Sequence, residues 1–330
     1  MKNIQDNKQQ NFDNLLDIID LWIEYRTLEG IFYAVNGIDL NLKKGESLGL
    51  VGETGAGKTT TSKAILQILP KQAVITKGKV IFNNKNLFQL KPKEMESIRG
   101  SQISMVFQDP LCSLDPVYTV AYQIAETVRV HERISWRKAN QRAIEILRQV
   151  EISLDRANDY PHEFSGGMIQ RVMIAIALVC KPYLLIADEP TTALDVTIQA
   201  QVLELMKELK NSYKTSLILI THDLGIVPEV CDSVAVMYAG RIVEKGDIKS
   251  VYGNPLHPYT KGLFACIPEV NKPTKDLKPI KGLSPSSKTI VQGCAFYPRC
   301  EGRLALCRTK TPELISIKDK QSVACFEYCN

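Results

Sequence analysis

A glycine-rich segment near the start of the chain has the residue types that bind phosphate groups. Residues 52–59 are Gly-Glu-Thr-Gly-Ala-Gly-Lys-Thr, which fits the pattern G-x4-G-K-[ST] between an apolar strand, Ser47 to Val51, and a helix from about Lys58 to Leu69. The glycines let backbone N–H groups face an anion, while Lys58 neutralises β/γ-phosphate charge and Thr59 reaches Mg²⁺. The residues of this predicted phosphate loop are Gly52, Glu53, Thr54, Gly55, Ala56, Gly57, Lys58, Thr59 and Thr60.

Two further polar sites follow apolar strands. The strand Tyr183 to Ala187 ends in Asp188 and Glu189. Downstream of a phosphate loop, Asp188 can support Mg²⁺ through Thr59 and water, and Glu189 can orient or deprotonate the water that attacks a γ-phosphate. His222 follows the strand Ser216 to Ile220 directly, at the strand end where α/β proteins bind their ligands.

A third segment, Phe164 to Arg171, contains Ser165, Gly166 and Gly167. Alone, these three residues indicate only a helix-opening turn in which the serine caps and the glycines admit an anion. Between the phosphate loop and the acidic pair, the segment resembles the signature motif of ABC-type ATPases. The resemblance implies that the motif of one subunit closes over the nucleotide held by another. Phe164 and Met168 depart from the usual leucine and glutamine of the motif.

The resemblance to ABC ATPases covers roughly residues 11 to 252 and implies roles for further residues. Gln108 matches the Q-loop glutamine, which senses Mg²⁺ and the γ-phosphate. His222 matches the switch histidine that contacts the γ-phosphate, and Asp195 matches the D-loop that crosses to the partner subunit. Adenine stacks on an upstream aromatic in this family. Tyr25 is the first choice for that residue, with Tyr33 and Phe32 as alternatives.

The elements that position these residues predict an α/β protein. Strands are expected in Leu15 to Leu42, and Ala139 to Val150 has helical spacing. With the resemblance, this pattern predicts a P-loop ABC ATPase fold with a mixed-sheet core, an antiparallel β subdomain and an inserted helical subdomain. The predicted divisions are a flexible N-terminus (1–14), the ATPase domain (15–252, with the helical subdomain at about 110–164), and a linker with a small cysteine-rich C-terminal extension (253–330).

Several strings narrow the resemblance to the peptide-permease branch. They lie at residues 108–116, 161–168, 190–201 and 254–260, and are similar to the D-type ATPase subunit of dipeptide and oligopeptide importers. This likeness implies a second, different ATPase as partner, two membrane permease subunits, and a binding protein that supplies the substrate. Nickel importers share much of the pattern, so the transported solute stays open. A soluble ABC ATPase acting on nucleic acid is disfavoured, because the chain has one cassette and a short tail.

Composition agrees with a peripheral position on the cytosolic side of a membrane. The net charge is +5, and the basic residues are spread along the chain, which argues against a nucleic-acid-binding stripe. The N-terminus lacks the apolar core of a signal peptide, and no apolar run approaches the ~20 residues that span a bilayer. We therefore expect a protein that is cytosolic or peripheral on a cytosolic face, and the resemblance implies that it lies on the cytoplasmic face of the cell membrane with its partners.

Five of the nine cysteines lie in the last 37 residues. Cys294, Cys300, Cys307 and Cys325 are spaced C-x5-C-x6-C-x17-C, without the C-x2-C pair of a zinc ribbon. Thiolate ligation suits a [4Fe–4S] cluster or Zn²⁺, and Arg299 and its basic neighbours would offset the charge of a cluster. The peptide-permease resemblance adds that some of these ATPases have been associated with an iron–sulfur cluster. The expected metal group is therefore [4Fe–4S], with Zn²⁺ or four reduced, packed thiols as alternatives.

Overall fold

The computed structural model describes residues 13–109, 113–192, 194–266, 280–283, 285, 288, 292–318 and 320–329. The strands in these ranges are β1 Asn14–Thr27, β2 Gly30–Lys43, β3 Ser47–Val51, β4 Ala73–Phe82, β5 Lys85–Asn86, β6 Ile103–Val106, β7 Leu184–Asp188, β8 Ser216–Thr221, β9 Ser233–Tyr238, β10 Arg241–Asp247, β11 Ile315–Lys318 and β12 Gln321–Val323. The helices are α1 Lys58–Ile65, α2 Pro92–Ile98, α3 Val120–Glu132, α4 Trp136–Gln149, α5 Gly166–Leu178, α6 Val196–Tyr213, α7 Val227–Val230, α8 Ile248–Gly253 and α9 Pro258–Phe264.

The central sheet has the strand order β11-β12-β10-β9-β3-β8-β7-β6. From β9 to β6 the strands run parallel, and β10, β12 and β11 pair antiparallel. Every residue of β3, β7 and β8 is buried, which agrees with the continuous apolar runs of strands covered on both faces. The expected strands before the phosphate loop, the acidic pair and His222 are confirmed. Their carboxyl ends bring the three motifs to one edge.

A second, antiparallel sheet has the order β2-β1-β4-β5. Its inward side chains, such as Leu16, Ile38 and Val80, share one apolar core with Ile65 of α1 and Ile186 of β7. The strands expected between Leu15 and Leu42 are therefore present as the long β1–β2 pair. This small sheet presses α1, and with it the phosphate loop, against the central sheet.

Residues between β6 and β7 are helical in the part that the structure describes. Helix α4 buries Ala139, Ala143, Ile146 and Leu147 on one face, which is the spacing that predicted it. It packs with α3 and α5 in the larger apolar core. The division of the chain at 110 and 164 stays a prediction.

Three expectations differ from the structure. Helix α1 ends at Ile65 rather than near Leu69, because Gln67 has a φ of +52°, which a right-handed helix cannot continue. The segment expected to be a linker contains α9. The tail expected to form a separate extension instead adds β12 to the central sheet, with Glu244 of β10 opposite Val323. In the described ranges, every helix is too short or too polar to cross a bilayer.

Candidate functional site

The phosphate loop lies between β3 and α1, where the parallel strand ends and the helix begins. Gly52 has a φ of +150°, and a Cβ there would lie 2.1 Å from the carbonyl oxygen of Met237. Gly57 has a φ of +104°, and its Cβ would meet the carbonyl oxygen of Ala34 at 2.4 Å. Both positions therefore require glycine, because the loop passes too close to other backbone for any side chain.

Lys58 is buried beneath this loop and donates hydrogen bonds from its ammonium to the loop itself. Its Nζ lies 2.7 Å from the carbonyl oxygen of Gly52 and 3.1 Å from that of Glu53. Burial lowers the pKa of Lys58, and the nearby carboxylates of Glu189, Asp188 and Glu53 act in the opposite direction. The loop thus holds a positive charge at the centre of its turn.

Thr59 and Asp188 form the second part of the site. The Thr59 hydroxyl donates to Oδ1 of Asp188 at 3.1 Å, although the residues are 129 positions apart. Asp188 is 2% exposed, and burial raises its pKa even though the Thr59 hydrogen bond lowers it. A hydroxyl and a buried carboxylate are hard oxygen ligands that fit Mg²⁺, so these residues match the expected metal ligands.

Glu189 lies at the centre of a polar cluster. Its carboxylate accepts from Nε2 of Gln108 at 3.0 Å and from the Thr192 hydroxyl at 3.1 Å, and Nδ1 of His222 lies 3.2 Å from it. The backbone N–H of Glu189 donates to the carbonyl oxygen of Ile220 on β8. The three residues predicted to be catalytic, Glu189, His222 and Gln108, are therefore brought into contact. Sequence reasoning missed Thr192.

One open cavity of about 590 Å³ joins these groups. The phosphate loop from Thr54 to Thr60 lines one part of it, and Gln108, Glu189 and His222 line another. At its far side lie Tyr25 and Phe32, and the Tyr25 hydroxyl is 3.2 Å from that of Thr60. Tyr25 and Phe32 are thus both placed to contact a nucleotide base, whereas Tyr33 is not part of the lining.

The signature residues lie elsewhere. Ser165 is the N-cap of α5, where its hydroxyl accepts from the N–H of Met168, and Asp195 caps α6 in the same way. Ser165, Gly166 and Asp195 are exposed, and these residues and Gly167 are not among those that line the cavity. The chain therefore brings together the residues of the phosphate loop and the acidic cluster but presents its signature residues separately.

Arg299 is a contact of the phosphate loop that sequence reasoning placed wrongly. It was expected to offset the charge of a metal cluster, but its guanidinium is paired with the Glu53 carboxylate. A signal was present in the sequence, since an acidic residue inside an anion-binding loop needs a cation close by. The spacing of residues in the sequence could not identify Arg299 as the cation that pairs with Glu53.

The prediction of a [4Fe–4S] cluster is wrong. In the ranges that the structure describes, which include all four cysteines, no group of three or more His, Cys, Asp or Glu side chains could hold a metal ion. Cys294, Cys300, Cys307 and Cys325 instead line a small cavity with apolar side chains such as Phe296 and Leu304.

Burial makes the thiolate form of three of these cysteines less favourable. It raises the pKa of Cys294 and Cys300, and it raises that of Cys325 to about 11. Metal binding requires the thiolate, which a raised pKa disfavours. The described residues likewise contain no group of ligands that could hold Zn²⁺, so the packing of reduced thiols as small apolar groups is the interpretation that remains.

Comparison with known proteins agrees with this geometry. The family model "ABC transporter" matches residues 35–192, and "Oligopeptide/dipeptide transporter, C-terminal region" matches residues 243–307. The chain is 48% identical to a probable peptide ABC transporter ATP-binding protein, y4tR, of Sinorhizobium fredii over 95% of each chain. It is 44% identical to the dipeptide transport ATP-binding protein DppD of Bacillus subtilis, again over 95% of each.

Solved structures show the same fold. The dimeric, post-hydrolysis structure of the ATP-binding cassette MJ0796 with ADP and Pi has a TM-score of 0.64 and 28% identity, covering 71% of this chain and 98% of that one. The structure of cbiO1 from Clostridium perfringens, part of the ABC transporter complex cbiONQ, has a TM-score of 0.63 and 31% identity, covering 73% of this chain and 92% of that one.

Proposed function

The chain belongs to the family of peptide ABC transporter ATP-binding proteins, and from this we propose that it hydrolyses ATP to drive the import of dipeptides or oligopeptides. The observation that carries the proposal is the convergence of Lys58, the Thr59–Asp188 pair and the Glu189 cluster on one cavity. Each group has a distinct task in phosphoryl transfer, and all of them lie at one end of the central sheet.

The residues around the cavity divide the reaction between them. The backbone N–H groups of the loop and Lys58 hold the β- and γ-phosphates of ATP. Thr59 and Asp188, with Gln108, are the residues that would hold Mg²⁺, which supplies charge neutralisation at the phosphates when bound. Glu189 orients and deprotonates the attacking water. His222, whose Nδ1 lies 3.2 Å from the Glu189 carboxylate, contacts the γ-phosphate. Tyr25 stacks on the adenine.

A complete site requires two subunits. Ser165, Gly166 and Gly167 of one subunit close over the nucleotide of the other, and Asp195 crosses beside them. These residues lie outside the cavity of their own chain, which supports this arrangement. The similarity of the fold to that of MJ0796, whose structure is a dimer, supports it as well. By the same reasoning the partner is a second ATPase of related sequence.

The transporter that we infer contains two membrane permease subunits and is supplied by an extracytoplasmic binding protein. The chain lies on the cytoplasmic face, and the helical subdomain of about 110–164 contacts a permease loop. The names of the relatives, which describe peptide and dipeptide transport, support this assembly and the peptide substrate.

The hydrolytic role is tested with Glu189→Gln in the full chain. The amide preserves size but cannot accept the proton, so we expect turnover to fall at least about a hundredfold while ATP stays bound. The readouts are phosphate release and retention of radiolabelled ATP. A matched control is Glu204→Gln, an exposed acidic residue of α6 that pairs with Lys207 away from the cavity, which should leave both unchanged. Unchanged turnover in Glu189→Gln would show that another group is the base.

The substrate class is tested by deleting the gene in a strain that needs one amino acid. Growth on that amino acid supplied as a di- or tripeptide should stop, whereas growth on the free amino acid should continue. Peptide growth that survives, together with a loss of nickel uptake, would contradict the peptide assignment.

A further inference from the structure

Glu53, the second residue of the phosphate loop, is paired with an arginine far away in the sequence. Arg299 lies 246 positions further on, and its two terminal nitrogens donate to the two carboxylate oxygens at 2.9 and 3.1 Å. The Arg299 side chain is only 6% exposed. A planar guanidinium on both oxygens of a carboxylate is the strongest form of such a pair.

The position of the Arg299 guanidinium is fixed by several further contacts. It donates to the Tyr238 hydroxyl at 3.3 Å and to the carbonyl oxygens of Ile280 and Lys281 at 3.3 and 3.1 Å. It also lies within 6 Å of the ring centres of Tyr238 and Phe296, at 5.8 and 5.9 Å. These contacts therefore hold the Arg299 guanidinium in one orientation, independently of its pair with Glu53.

The backbone of Glu53 is held as well. Its N–H donates to the hydroxyl of Tyr259 on α9 at 2.9 Å, and its carbonyl oxygen accepts from Lys58 at 3.1 Å. Tyr259 and Tyr238 pack against each other and are almost fully buried. Tyr259 of α9 and Arg299, which both lie beyond the region matched by the ABC transporter family model, thus hold the loop residue whose carbonyl oxygen accepts from Lys58.

A carboxylate in this position opposes the function of the loop. The loop collects N–H dipoles and a lysine to attract a polyanion, and the negative charge of Glu53 would oppose that attraction if the Arg299 guanidinium were removed. The Arg299 guanidinium removes this repulsion. It also prevents the carboxylate from turning toward Lys58 and competing with the nucleotide for the ammonium.

We propose that Arg299 is a positioning residue for ATP binding, which neutralises Glu53 and holds the phosphate loop open to the phosphates. The inference rests on the proposed function and deepens it, because it assigns the C-terminal segment a direct part in nucleotide affinity. The segment does so through an ion pair between side chains.

The test is a pair of substitutions in the full chain, with the ATP dissociation constant measured by calorimetry at fixed ionic strength. Arg299→Met removes the guanidinium from the Glu53 carboxylate and should raise the dissociation constant roughly tenfold or more. Adding Glu53→Gln removes that charge, so the double variant should return to within about threefold of Glu53→Gln alone. If Arg299 had only a structural role, adding Glu53→Gln to Arg299→Met would not restore the affinity for ATP.

A matched control is Arg303→Met, which removes an exposed arginine of the same segment whose guanidinium lies over the ring of Tyr297. Its dissociation constant should change by less than about twofold. If Arg299→Met does not fold, the double variant decides, since it carries no unpaired charge. A double variant that binds ATP as weakly as Arg299→Met would overturn the inference. Failure of the unaltered chain to bind ATP would instead refute the proposed function.

Discussion

At the scale of single residues, the backbone of Glu189 is as important as its side chain. Glu189 has a φ of +49°, a conformation that costs a non-glycine residue about 1 kcal/mol or more. This cost is offset by the hydrogen bond from its backbone N–H to the carbonyl oxygen of Ile220 and by the contacts of its carboxylate with Gln108 and Thr192. Strained backbone conformations of this kind cluster at active sites. Here the strained backbone directs the Glu189 side chain into the cavity, which an unstrained turn would not do.

Single residues also show what could be predicted from sequence. Lys58, Asp188 and Glu189 were predictable because each follows a buried strand, and parallel strands bring their carboxyl ends together. The Glu53–Arg299 pair was not, since it joins residues 246 positions apart whose types alone do not identify each other. The cysteine prediction failed because spacing alone does not show whether the side chains converge in a geometry that could hold a metal ion.

The lowered pKa of Lys58 predicts how ATP affinity depends on pH. Burial disfavours the ammonium, so the neutral amine appears at lower pH than for an exposed lysine, whose pKa is about 10.4. ATP binds the charged form, and affinity measured without Mg²⁺ should therefore begin to fall at a lower pH than an exposed lysine would allow. Lys58→Arg, which stays charged throughout, should bind with an almost flat pH profile. An equal decline in both proteins would assign the effect to another group.

At the scale of elements, α9 is joined to the central sheet by a buried carboxylate. Glu244 of β10 accepts from the backbone N–H groups of Leu256 and His257, and from Nε2 of Gln321 on β12. His257 then caps α9 by accepting the N–H of Tyr259 at Nδ1. The tail strand and the helix that supports Glu53 are thus fixed by one side chain, which local sequence patterns could not reveal.

His257 predicts a loss of stability in acid. It is 1% exposed, and burial lowers its pKa to about 3, against an ordinary 6.5. Because the unfolded chain binds a proton below pH 6.5 and the folded chain does not, the stabilisation present above pH 6.5 is lost as the pH falls toward 3. Between pH 6.5 and 5 this loss should be about 2 kcal/mol, measured as the free energy of unfolding in urea.

His257→Asn isolates this contribution, because asparagine also caps helices but does not titrate. We expect the variant to be less stable at pH 7, where it loses packing, and to lose about 2 kcal/mol less than the unaltered chain between pH 6.5 and 5. Identical losses in the two proteins would mean that His257 is not the group that takes up the proton.

At the scale of the whole molecule, the chain contains two halves of different sites. The cavity holds the phosphate loop and the acidic cluster, and Ser165 lies exposed at the start of α5, outside the lining. Binding of ATP should therefore be a property of one chain, whereas hydrolysis should require a partner that supplies its own signature. The two activities can be separated by substitution.

Ser165→Arg should leave the ATP affinity of the isolated chain within about twofold, because it does not touch the cavity, but should reduce hydrolysis in the assembled complex about a hundredfold. Lys58→Ala should abolish ATP binding itself.

If two copies of this chain pair, mixing the Ser165→Arg and Lys58→Ala variants creates hybrid dimers with one intact site, formed by Lys58 of one copy and Ser165 of the other. Random pairing would then restore up to about a quarter of the original rate, since half of the pairs are hybrids with one site in two intact. Restoration only with the unaltered second ATPase would show that the natural pair is made of two different chains, and loss of ATP binding in Ser165→Arg would place Ser165 in its own pocket and contradict the two-subunit site.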